Sequence, residues 1–322
     1  VKLLDPTYIR DICDYSFGDQ SGIGCLGGYM KPANINNEDF MNKYRSLVGK
    51  KEYMTLFIDN IRLYKRDGIK YTAIELSHEP SREFKDKVVK EYFKENDLLE
   101  LCSSLQDMKF VIYSFFEDTP IDEFIYNKIP QNVIAIYASN AISYGGKVIP
   151  MPYGIQRKLY IGDNRHDIIM SMIPIEKTPS KLLYVNHSIG NNPDRIVIND
   201  MLSDKAWATL KTPTTHSHND YINYLNEIKD HKFMICASGN AIGCECHRDW
   251  EVLYMRRVPI VIESDYLKVI FKGLPVLMVS DFSEINEEML IKNDHLFQEA
   301  QKFDMSKLDI EVLYNETINN IK

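Results

Sequence analysis

The sequence predicts an α/β protein made of two doubly wound units. Its 322 residues are more than one compact core usually organises. Short apolar, β-branched or aromatic runs alternate with helix-like stretches, the pattern of largely parallel sheets. That rhythm occurs twice, on either side of a segment rich in Gly and Pro, GGKVIPMPYGIQRKLYIG at 145–162. The expected division is a first unit at 1–165, a second at 170–305, and a terminal helical stretch at 306–322 that returns to the first.

In the first half, residues 53–58 and 70–76 read as strands and 83–105 as one or two helices. KFVIYSF at 109–115 and NVIAIY at 132–137 are near-continuous apolar runs, as strands buried on both faces require. The second half is cleaner. KLLYVN at 181–186 is a strand. A helix follows at 193–202, with Asn192 or Asn191 as its cap. A short strand at 206–210 and a helix at 219–229 come next. KFMICA at 232–237 is a strand that leads into a small-residue loop at 238–243. A helix at 246–255 precedes strands at 258–262 and 275–279. Ser283 is expected to cap a helix running through Ile291, and 289–322 reads as a final helical stretch.

Apolar residues make up 44% of the chain and charged residues 26%, ordinary values for a globular protein. No run approaches the roughly 18 to 20 apolar residues that cross a bilayer. Residues 1–6 lack the basic-then-apolar pattern of a signal peptide. Six cysteines without framework spacing point to a reducing, cytoplasmic setting. The net charge of −8 disfavours a broad nucleic-acid face, although Arg62, Lys65, Arg66 and Lys70 form a local basic run. Cys244, Cys246 and His247 resemble metal ligands, but no second cysteine pair lies at a zinc-site distance. His216, His218 and Asp220 form a similar short loop cluster.

The chemistry is expected in SGNAIGCECHRDWEVLYMRRVPIVIES, residues 238–264. A strand ends at Ala237 and a helix opens near His247. Ligands of open α/β sheets bind beyond the carboxyl ends of the strands, where helix N-termini present free donors to anions. A diphosphate there would meet the Gly239 and Gly243 backbone, the helix dipole and Arg248, and Ser238 and Asn240 of the same loop are further donor-binding candidates. His247, Glu251 and Tyr254 follow at i, i+4 and i+7 on one face, which places Glu251 to accept from vicinal hydroxyls such as those of a ribose. Arg248 and Glu251 also have the spacing of an ordinary surface ion pair. Arg195, in the first turn of the 193–202 helix, is the second cation expected near the diphosphate.

CHRDWEVLYMRRVPIVIES, LPVLMVSDFSEINEEML at 274–290, and LLYVNHSIGNNPDRIVINDML with its Asn-Pro-x-Arg element resemble the exostosin-type glycosyltransferases and their small bacterial and viral relatives. The likeness covers roughly residues 150–290. It implies the GT-B fold, two Rossmann-like domains facing across a cleft. It also implies a nucleoside-diphosphate sugar, with a UDP-sugar foremost, held by the second domain, and no obligatory metal. Asn186, His187 and Ser188, at the end of that domain's first strand, would then sit at the cleft. The implied reaction moves a hexosyl or related group to a hydroxyl acceptor, either a surface glycan or a modified DNA base. The relatives often carry an Arg-Gly pair in the loop before the helix, and Ser238 stands at the expected Arg position. That departure supports an alternative: an inert nucleotide- or glycan-binding module that kept the donor fold. An inverting enzyme also needs a general base, for which Asp19, Glu117 and Asp118 are the candidates and His78 a weaker one.

Overall fold

A computed structural model describes residues 2–17, 38–59, 98–115, 120–155, 165–189, 192–213, 218–239 and 244–321. Two parallel sheets, each of five described strands, organise the chain. It divides into two compact units. One comprises Pro6–Pro152 with Tyr314–Lys322; the other comprises Val1–Asp5 with Tyr153–Leu313.

The first unit's sheet runs in chain order: β1 (Tyr15–Phe17), β2 (Tyr53–Asp59), β3 (Lys109–Phe115), β4 (Val133–Ala138) and β5 (Val148–Pro150). After its first residue β3 is buried throughout, as its continuous apolar sequence requires. The stacked rings of Tyr113 and Tyr137 lie 5.2 Å apart. Both hydroxyls engage Thr317: Tyr113 Oη is 2.6 Å from its Oγ1, and Tyr137 Oη donates to its carbonyl at 2.9 Å. These buried bonds fix Tyr314–Lys322 to this sheet.

The second unit holds β6 (Lys181–Asn186), β7 (Ala208–Lys211), β8 (His231–Ile235), β9 (Val258–Ile262) and β10 (Leu277–Val279), in the spatial order β7-β6-β8-β9-β10. Alternate residues Leu183, Val185, Phe233, Ile235, Val258, Ile260, Leu277 and Val279 face one core, closed by Ile198, Leu202, Phe297 and Ala300. That is the period of two expected of a strand, with helices covering the face. On the opposite face Tyr184 stacks on His231 at 4.9 Å and meets Tyr224 of the helix His218–Asp230 at 6.4 Å. Helices on both faces of a parallel sheet make this a Rossmann-like unit, and two such α/β units are what a GT-B fold requires.

Several element limits depart from the sequence expectation. The 145–162 segment contains β5, paired in parallel with β4, and the division between units falls at Pro152/Tyr153. Met151 N–H donates to Ala138 of the first unit, whereas Ile155 N–H donates to Leu4 of the second. Ser283 does not cap a long helix. It lies in a 3₁₀ turn, Phe282–Glu284, capped by Asp281, and the helix Glu287–Lys292 is capped by Asn286, whose Oδ1 accepts from Met289 N at 2.9 Å. The expected 289–322 stretch is broken after Lys292 and again after Lys302, where Phe303 is extended. Asp304 then caps a further 3₁₀ turn before the final helix Ile310–Ile321. Asx side chains took the backbone donors that a continuous helix would have used.

Candidate functional site

The strand order of the second unit defines a location. From β6 the chain crosses to β7 on one side and then to β8 on the other. The carboxyl ends of β6 and β8 therefore border a switch point, where open α/β sheets form a ligand crevice. Their register pairs Val185 with Ile235, so the segments after Asn186 and after Ile235 emerge side by side. A helix of eight residues or more begins soon after each strand: Asp194–Leu202 and His247–Tyr254.

Local chemistry fixes both helix starts. Asn192 Oδ1 accepts from Asp194 N at 2.9 Å, and its amide donates to the carbonyl and Oγ of Ser238, both at 3.2 Å. One side chain thus closes an Asx turn leading into the first helix and ties it to the loop after β8. Cys246 is extended, and its N–H donates to Asp249 Oδ2 at 2.5 Å in the manner of a capping box. Asp249 is fully buried, and burial pushes its carboxyl up to about 7.

Two guanidinium groups meet here. Arg195, 4% exposed, donates to the carbonyls of Ser188 (2.9 Å), Ala237 (3.2 Å) and Ser238 (2.9 Å). It clamps the loop after β6 to the loop after β8. Half-buried Arg248 donates to the same Ala237 carbonyl at 2.7 Å. Among the described residues neither makes an ion pair with a carboxylate within 4 Å. Burial and the neighbouring Arg248 charge lower Arg195 to about 10. Two cations sharing one carbonyl at two helix starts make a strongly positive locus, suited to an anion of about two charges. A Cβ at Gly239 would lie 3.9 Å from Arg195 Nη2, an ordinary contact, so this position runs directly beside the guanidinium.

His187 follows β6 and is 2% exposed. Its Nε2 lies 3.3 Å from the Arg195 carbonyl and 3.2 Å from Asn199 Oδ1, while Nδ1 is buried with no partner among the described residues. Asn186 donates to Tyr184 Oη at 2.7 Å, within the sheet.

The sequence expectation brought Ser188, Arg195, Ser238, Gly239 and Arg248 to one place, and the structure does likewise. Ser188 and Ser238 contribute their carbonyls as anchors for Arg195. Glu251 is placed differently from the open carboxylate expected. It is buried, and it accepts from Tyr221 Oη on Oε1 at 2.6 Å and from Tyr224 Oη on Oε2 at 2.9 Å. Burial raises its carboxyl above the usual range. It makes no ion pair with Arg248, and Arg165 stacks over the Tyr221 ring at 4.8 Å. His247 is turned toward the chain before the helix: Nδ1 lies 2.9 Å from the Gly154 carbonyl and the ring packs on Tyr153 at 4.6 Å.

Asn240 and Gly243 lie outside the described residues, as do Asp19, Glu117, Asp118, His78 and the Arg62, Lys65, Arg66 and Lys70 run. Among the described residues no cluster of His, Cys, Asp or Glu is arranged to hold a metal ion. Cys244 Sγ donates to Glu245 Oε2 at 3.0 Å. No described helix is long and apolar enough to cross a membrane.

Sequence reasoning missed Tyr221, Tyr224 and Glu245. Glu245 is 5% exposed and accepts from Tyr153 N and from Tyr266 Oη at 3.2 Å. The Tyr-x-x-Tyr spacing on one helical face was the available signal for the first pair. An apolar groove of about 550 Å³, lined by Met201, Trp207, Ile285 and Ile291, lies by the far end of the Asp194–Leu202 helix from Arg195 and belongs to a different region.

No protein-family model matches the chain, and no curated protein sequence does. The likeness to the exostosin type therefore stands on its motifs alone. Among solved structures the chain is similar to the crystal structure of an alpha1,3-fucosyltransferase, at 15% identity and a TM-score of 0.37 over 61% of this chain. The match spans 65% of that protein's length. At that similarity neither activity nor donor passes from one protein to the other.

Proposed function

We propose that the chain is a glycosyltransferase whose second unit holds a nucleoside-diphosphate sugar, a UDP-sugar foremost, and which transfers the sugar to a hydroxyl acceptor. The observation that carries this reading is the meeting of Arg195 and Arg248 on the Ala237 carbonyl, at the switch point between two helix starts. In a transfer reaction negative charge accumulates on the departing diphosphate. Preorganised cations and backbone dipoles stabilise that charge without reorganising. Arg248, half-buried and donating through Nη2 to the Ala237 carbonyl, supplies the second cation. Arg195 supplies charge from beneath and holds the loops that shape the site. In this reading the two arginines meet the diphosphate charge without an obligatory metal.

Glu251, buried, accepts from the hydroxyls of Tyr221 and Tyr224 and so holds both rings in place. The acceptor is a glycan or another hydroxylated molecule, with a modified DNA base less favoured by the charge balance.

The inert-module reading is favoured by one observation: Ser238, at the position where an arginine was expected, spends its carbonyl and hydroxyl on Arg195 and Asn192. Incubation with UDP-sugars, followed by assay for nucleotide release, separates the two. Release that depends on Arg248 supports the transferase; tight nucleotide binding with no release or transfer supports the module.

A further inference from the structure

The imidazole of His187, just after β6, is held against the first turn of the helix that carries Arg195, and the proposed chemistry does not use it. Its Nε2 faces the Arg195 carbonyl, which can only accept, so the ring proton is assigned to Nε2. Nδ1 then carries a lone pair, buried and without a partner among the described residues. A buried acceptor without a donor is costly, and protonation would not relieve it while two guanidinium charges stand nearby. The charged side chains acting most strongly on the ring are Arg248, from the helix His247–Tyr254, and Arg195, from the helix Asp194–Leu202; both are cations. Burial, then Arg248, then Arg195, pull the imidazole from 6.5 to about 4. An anion held by the two arginines would remove the repulsion that adds to burial in keeping this ring neutral.

We propose that His187 is a positioning residue that gains a proton at Nδ1 when a dianion binds the Arg195–Arg248 pair, becoming the third cation of the site. The proton comes from solvent and returns to it when the anion leaves. This rests on reading the site as an anion site. It adds that occupancy and protonation are linked, so each strengthens the other. Protonation also makes the Nε2–H bond to the Arg195 carbonyl charge-assisted, and so firmer.

The test is an NMR titration of the histidine rings in the full chain from about pH 4 to about pH 8, with and without saturating sulfate, at matched ionic strength. Sulfate remains a dianion over this range, so a proton taken up goes to the protein. His187→Gln identifies the ring signals and keeps an N–H able to reach the Arg195 carbonyl; if that variant does not fold, backbone-linked assignment of the wild-type ring replaces it. The expected result is a His187 midpoint raised by at least about one unit, equivalent to about tenfold tighter sulfate binding by the protonated form. Sulfate binding to His187→Gln is expected to lose its pH dependence. A midpoint that stays fixed while sulfate binds would overturn the linkage and leave the anion site intact. No sulfate binding at any pH would overturn both.

Discussion

Arg195 and Arg248, 53 positions apart in the sequence, donate to one acceptor, the carbonyl oxygen of Ala237, at 3.2 and 2.7 Å. Their roles differ in what else they hold. Arg195 makes three backbone bonds across two loops. Arg248 makes one. Arg195→Ala is therefore expected to cost about 2–4 kcal/mol of stability, through the buried carbonyls it leaves. Arg248→Ala should change stability by less than about 1 kcal/mol while weakening pyrophosphate binding at least about tenfold. Denaturant unfolding and calorimetric titration of the two variants check both expectations.

Glu251→Ala should act mainly on stability. Removing the carboxylate leaves the Tyr221 hydroxyl buried without its acceptor and the half-buried Tyr224 hydroxyl without its own, at about 2–3 kcal/mol. Glu251→Gln keeps one acceptor oxygen and should recover about half of the loss. Chemical denaturation of the two variants is the measurement; equal stability of Glu251→Ala and wild type would contradict the assigned packing.

His187 predicts a pH dependence of folding. Its folded pKa, about 4, lies below the ordinary 6.5. Above 6.5 both states are neutral at this residue and its contribution is complete. As pH falls from 6.5 toward 4 the unfolded chain binds a proton that the folded chain does not, so stability is lost. The full loss is about 3 kcal/mol, at about 1.4 kcal/mol per unit. Unfolding curves of wild type and His187→Gln should diverge across that window, with the variant the less acid-sensitive.

Much of this was legible in the sequence, for physical reasons. Continuous apolar runs such as KFVIYSF and VPIVI have few alternatives to a buried strand, and β3 and β9 fall at the expected residues. Arg248 was legible because a strand, a small-residue loop and a helix start follow one another directly. Two of the three carbonyls that Arg195 holds were not, because Ala237 and Ser238 lie in a loop beyond residue 230 that only the tertiary fold brings near. Burial of Glu251 was hidden for a related reason: helical spacing gives the face of a residue but not what packs on it, and Tyr221 and Tyr224 arrive from another helix. The broken C-terminal helices turned on Asp281, Asn286 and Asp304, whose side chains compete with the helix for its own donors.

Gly154 supplies the carbonyl that His247 faces, with φ at 74°. A Cβ there would lie 2.1 Å from the Leu4 carbonyl oxygen. Gly154→Ala is expected to destabilise the second unit by about 2 kcal/mol or more, through the left-handed backbone and displacement of the 1–5 segment. A lowered thermal midpoint checks this; an unchanged one would contradict the close approach.

The most direct test of the central claim is the thermal midpoint of wild type and Arg248→Ala against UDP, GDP, ADP, CMP and TDP and their common sugars, with and without divalent metal. A ligand that binds only the folded state raises the midpoint by mass action. The account predicts that one diphosphate nucleotide family, UDP foremost, raises the wild-type midpoint without metal and that the rise is lost in Arg248→Ala. No rise with any nucleotide, or an equal rise in the variant, would contradict it.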